Sequence, residues 1–158
     1  MSKNRYKDGK SKREPGRFLA LPAAVTNSPA FVRLSPYAVK LLIDIGSQYK
    51  GHNNGDLCAA WKIMKPRGWR SEATLHKAKQ ELLNANFITE MRKGRRPNVC
   101  ALYALTWLDL DPSDKHDFGK GGFQRGAWKT PEPLVKPAPK ARGKIATLTT
   151  PPMILKAA

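Results

Sequence analysis

The sequence predicts an α+β chain in which a three-helix core precedes a β-hairpin, with a disordered basic tail on either side. Three observations lead there. Apolar residues recur at helical spacing in segments that follow Ser35 and Ser71. Two strand-like runs come next, separated by a loop that holds a glycine and several cations. Outside residues 18–110 the chain carries charge, proline and glycine, but few clustered apolar groups.

The elements follow in order. Residues 1–17 contain almost nothing to bury and read as a disordered basic arm. The apolar stretch from Phe18 to Leu34, broken by Pro22 and Pro29, reads as a short strand or extended lead-in and then one turn of helix. Ser35-Pro36 is a helix start, because Ser can cap and Pro is pre-organised for the first helical position. A broad-faced, buried helix then runs to about Tyr49. His52-Asn53-Asn54-Gly55 signals a turn, and Asp56-Leu57-Cys58 a short strand. A short helix from Ala59 to Lys65 is broken by Pro66 and Gly68. Ser71 caps a clear helix that continues to about Asn84, with Leu75, Ala78 and Leu82 as its apolar stripe. Phe87–Met91 and Val99–Trp107 read as the two strands of a hairpin. From Asp111 onward, seven of the 13 prolines and five of the 12 glycines fall in the last 48 residues, which reads as a disordered tail.

Charge narrows the function. The chain carries 29 Lys and Arg against 12 Asp and Glu, a net charge of +17. The excess is spread as +5 over residues 1–17, +7 over 18–110 and +5 over 111–158, so the folded part is basic in its own right. Such a chain repels itself and seeks polyanions, nucleic acid first and anionic membrane second. No apolar run of about 18 residues exists, so no membrane span is expected. No apolar segment backs the basic N-terminus, so no signal peptide is expected either. Cys58 and Cys100 both lie in apolar segments and read as reduced, buried thiols of a cytoplasmic protein, a disulfide between them being the lesser reading.

Helix, short strand, helix, turn, helix, strand, basic loop, strand is the pattern of a winged helix. The chain resembles a group of bacterial and prophage proteins with an N-terminal winged helix-turn-helix domain. The residues that carry the resemblance are Leu34–Ala38 and Tyr49–Gly55 around the first helix, Glu81–Ile88 leading into the wing, and Tyr103–Trp107 closing it. It covers about 90 residues, within the 18–110 domain, and leaves both tails aside. The turn Lys65–Trp69 is bulkier and more basic than the usual small-residue turn. The resemblance implies a DNA-binding protein of a mobile element, acting in replication initiation or transcriptional control on the bacterial nucleoid.

The residues themselves support double-stranded DNA as the partner. With Leu75, Ala78 and Leu82 facing the core, the opposite side of that helix carries Ala73, His76, Lys77, Gln80 and Asn84. A helix fits the major groove, where Lys can donate to guanine and Gln or Asn can pair with adenine. Lys62, Lys65, Arg67 and Arg70 flank it and suit phosphate contacts. Arg92, Lys93, Arg95 and Arg96 crowd a hairpin tip where packing does not need them. Trp61, Trp69 and Trp107 read as core, with Trp69 the one candidate for base stacking. The run Phe118–Lys129 alternates aromatics, glycine and cations, a composition that suits single strands or RNA and equally a protein partner.

Catalysis and cofactors are not expected. His52, His76 and His116 have no metal-ligand spacing with the cysteines, and no phosphate-binding loop exists. Two other function classes remain open: a protein-interaction factor using the winged helix as scaffold, and an RNA-binding accessory protein acting through its tails. Oligomeric state is not legible.

Overall fold

A computed structural model describes residues 16–95, 97, 99–117 and 120–129, and within them the chain is α+β. The N-terminal arm through residue 15, Arg96, Asn98, Phe118, Gly119 and residues 130–158 lie outside the described residues.

Two single-turn helices come first, α1 (Ala23–Thr26) and α2 (Pro29–Val32), where the sequence suggests an extended lead-in and one turn. Each proline opens one of them. Pro22 is the N-cap of α1, and Pro29 follows Ser28, whose hydroxyl accepts from Phe31 N at 3.2 Å. Helix α3 (Pro36–Gly46) starts at Ser35, whose side chain accepts from Ala38 N at 3.2 Å. It buries Ala38, Leu41, Leu42 and Ile45, and it stops short of Tyr49 in a tight turn. Gly46 lets the Leu19 side chain pack closely, since a Cβ there would meet its methyl groups at 2.9 Å and displace them.

Strand β1 is short (Leu57–Cys58). Helix α4 (Trp61–Met64) passes into a 3-10 turn over Lys65–Arg67, shorter than the helix expected. Pro66 has no N–H to continue the ladder, and Gly68 at φ +88° then reverses the chain. Ser71 caps α5 (Glu72–Asn84), which buries Leu75, Ala78 and Leu82. Its end is a Schellman arrangement, with Phe87 N donating to Leu82 O at 3.0 Å and Asn86 N to Leu83 O at 3.1 Å. Asn86 takes the left-handed conformation this requires, at φ 57°.

Strands β2 (Ile88–Arg92) and β3 (Leu102–Leu105) complete an antiparallel sheet of order β1-β3-β2. β3 is central, and all four of its residues are buried. Its pairing begins only at Leu102, later than the sequence suggests. A bulge between Glu90 and Arg92 breaks the register with β3. The extra residue flips the alternation, so Ile88 and Met91 are both buried although three positions apart. The core is one cluster in which α3 and α5 pack together, α5 leads into the sheet, and Trp69 and Trp107 are buried.

The folded body runs past Leu110, where the sequence suggests that order ends. Asn54 is the hub. It is 1 % exposed, and its amide bonds Leu105 O, Asp109 O and Leu105 N at 2.7–3.0 Å. Asp111 then clasps the Asn54 backbone from both sides, Asp117 N donates to Met91 O at 2.8 Å, and Gly126 N donates to Thr106 O. Gly55, at φ +115°, lies directly beneath the buried His116 ring, which a Cβ would strike. Tail composition averaged over 48 residues conceals these local anchors.

Candidate nucleic-acid interface

Helix α5 supplies the first group of candidate residues. Its core stripe fixes its rotation, and a second tie holds that rotation. The Glu81 carboxylate accepts from Ser35 N with one oxygen and from Ser35 Oγ at 2.7 Å with the other, joining the last turn of α5 to the start of α3. Ala73, His76, Lys77, Gln80 and Asn84 are consequently all exposed on the far side. Among the described residues the side chains of His76, Lys77, Gln80 and Asn84 make no hydrogen bond or ion pair.

The turn that delivers α5 is held by a buried acid. Asp44, on α3, is 7 % exposed. It accepts from Lys40 Nζ at 2.7 Å, Arg67 Nε at 2.8 Å and Trp69 Nε1 at 2.8 Å. Lys40 Nζ also reaches Arg67 O at 2.9 Å, and Arg67 Nη2 donates to Ser47 Oγ at 2.7 Å. Burial by itself would raise the Asp44 pKa. The hydrogen bonds from Lys40, Trp69 and Arg67, with the Lys40 charge, outweigh it and hold the carboxyl below its ordinary value. One acid thus fastens the middle and the far end of the 65–69 turn.

This knot corrects two expectations. Arg67 does not stand free for a phosphate, because its guanidinium is committed to Asp44 and Ser47. Trp69 is no stacking platform, because its ring is 4 % exposed and its N–H is spent on Asp44. Lys62, Lys65 and Arg70 are exposed and make no ion pair among the described residues.

The loop after β2 supplies the second group. Arg95 and Val99 exchange backbone hydrogen bonds of 2.8 and 2.9 Å, which closes the tip. Arg92 is half-buried, and its guanidinium crosses the loop to Cys100 O at 3.0 Å. It therefore braces the loop, a role different from the phosphate contact its sequence position suggests. Lys93 and Arg95 are exposed. Asp117 approaches both, accepting from Lys93 N at 2.8 Å and lying a loose 3.8 Å from Arg95. Arg96 lies outside the described residues.

Cys58 is buried and Cys100 half-buried, both as free thiols. Burial, with Cys100 adjacent, pushes the Cys58 thiol up to about 11. Among the described residues no group of three His, Cys, Asp or Glu has the arrangement to hold a metal ion, and no helix is long and apolar enough to cross a membrane.

The residue that sequence reasoning missed is Asp44. Its signal was a lone acid inside the apolar run Leu41–Ile45, four positions after Lys40. No protein family, curated protein or solved structure matches the chain.

Proposed function

We propose that this chain is a DNA-binding protein that reads duplex DNA with a winged helix-turn-helix domain, in replication initiation or transcriptional control of a bacterial mobile element. One observation carries the reading: α5 presents a continuous exposed face of Ala73, His76, Lys77, Gln80 and Asn84 whose polar side chains have no partner among the described residues. A helix of that kind fits the major groove, and Lys and Gln are long enough to reach base edges.

The order of elements supports it. Helix α3, strand β1, helix α4, a tight turn, helix α5 and the β2–β3 hairpin follow the winged-helix sequence of parts. Lys62, Lys65 and Arg70 are available to phosphates near the start of α5, and Lys93 and Arg95 at the hairpin tip. Cations at such places give affinity and register, while the helix face gives sequence preference.

Titration of a duplex at several salt concentrations tests this. Binding must weaken with a log–log slope of about −0.9 per phosphate contacted. A flat salt dependence would contradict the reading.

A further inference from the structure

We propose that the cavity between α1 and the segment 125–129 is a binding site for single-stranded nucleic acid, which takes one unpaired base against tryptophan and the adjoining phosphates on Arg125 and Lys129. The cavity is an open cleft of about 390 Å³, and Pro22, Val25, Trp107, Arg125, Trp128 and Lys129 are among the residues that line it. None of its lining belongs to α5 or to the basic hairpin loop, so the site is separate from the proposed duplex-reading face.

The walls are held in place. Trp107 is buried, and its indole N–H donates to Ala20 O at 3.2 Å. The opposite wall turns at Gly126, which adopts φ +78° and is bonded through its N–H to Thr106 O. Lys129 N returns to Gly126 O at 2.9 Å, closing a 3-10 turn that sets Trp128 against the core.

The chemistry of the lining selects the ligand. The lining is mainly apolar, with Trp128 the partly exposed indole and Trp107 buried behind it, and Arg125 and Lys129 supply two exposed cations. Arg125 Nη1 meets Asp109 Oδ1 at 2.9 Å, but both side chains are well exposed, at 62 % and 78 %. An exposed pair of that kind contributes little and exchanges readily for a phosphate oxygen. Lys129 Nζ lies over the Trp128 ring, 5.6 Å from its centroid, so one face of the indole already holds a cation and the other is left for a base. Flat rings alternating with negative charge are what a single strand presents, and aromatic stacking with cationic backbone contacts is how such strands are held. Duplex bases are already stacked and cannot enter. The volume is at the small end for ligand sites and suits one nucleotide of a strand rather than a run.

The test uses the full chain and a labelled oligo-deoxythymidine of about 10 nucleotides, with a duplex and poly-glutamate as parallel arms. Trp128→Ala should weaken oligonucleotide binding about tenfold or more. The double variant Arg125→Gln, Lys129→Gln changes only exposed side chains and guards against a folding defect in the first. It should weaken binding and reduce the salt slope by about 1.4, or 0.7 for each phosphate no longer neutralised. Both should leave duplex affinity within about twofold of the wild type. Lys77→Ala should do the reverse, so failure of this site and failure of the duplex reading are distinguishable. Unchanged oligonucleotide affinity and slope in the double variant would overturn the proposal. So would poly-glutamate displacing the oligonucleotide from the wild type but not from the double variant, which would assign the cavity to an acidic peptide.

Discussion

Replacing Asp44 by Asn should loosen the start of α5 and remove an acid-sensitive part of the protein's stability. The carboxylate accepts from Lys40, Arg67 and Trp69, all at 2.7–2.8 Å. Removing one partner of a buried ion pair costs about 3–5 kcal/mol when the other charge is left dry. Here the Lys40 and Arg67 side chains are 41 % and 38 % exposed and can recover water. The amide of Asn can still accept one bond. The expected loss is therefore about 2 kcal/mol at neutral pH. The sign of the pH dependence follows from the depressed Asp44 pKa. Its contribution is fully present above the unfolded carboxyl value of 3.8 and disappears as pH falls through the lower, folded value. Urea unfolding of wild type and Asp44→Asn across that range checks both magnitude and sign, provided m is unchanged. The stability gap should narrow in acid. A gap below about 0.5 kcal/mol at neutral pH, or one that stays constant into acid, would refute the role assigned to the knot.

Leu75→Ala should destabilise the fold by about 2–5 kcal/mol, because Leu75 is buried at 5 % exposure against the core; melting like wild type would mean that α5 is rotated differently. Asn54→Ala should cost about 1–3 kcal/mol, since it strands the buried Leu105 N–H, while Leu105 O keeps Leu108 N as a donor and Asp109 is exposed. Its hydrogen exchange should rise at Asp111 as well as at Leu105, and protection retained at both would contradict Asn54 as the anchor of the 105–111 segment. Arg95→Ala with Arg96→Ala should weaken all duplexes alike and flatten the salt slope by about one unit for each phosphate left without its cation; an unchanged slope would remove the hairpin tip from the interface.

The helices were legible where a capping serine precedes a periodic apolar run. Ser35 and Ser71 mark the starts of α3 and α5, and the stripe Leu75, Ala78, Leu82 faces inward as its spacing implies. Boundaries governed by tertiary contact were not. The late start of β3 depends on its pairing with β1 and β2, and the flip of Met91 depends on a bulge; neither has a local signature. The candidate site divides along the same line. Exposure of Lys77 and Gln80 follows from helix geometry alone. The diversion of Arg67 to Asp44 joins residues 23 positions apart, and the bracing of the loop by Arg92 depends on where Cys100 O falls. A basic residue read from composition is a free cation until a buried acid or carbonyl is known to claim it. The 111–129 region shows the converse, because its anchors are scattered single contacts, a few backbone bonds, the Asp111 and Asp117 carboxylates, one buried histidine and Trp128, too sparse to alter a composition rich in proline and glycine.

The central claim is that α5 reads sequence, and the most direct test is selection of preferred duplexes from a random pool by wild type, Lys77→Ala and Gln80→Ala, with melting curves as control. Both side chains are exposed and without a hydrogen-bond partner among the described residues, so both variants should melt like wild type. Each should select a changed preference at one or two base positions, with discrimination there reduced by about 1–3 kcal/mol. If both variants stay folded and select the wild-type site unchanged, α5 is not the reading helix.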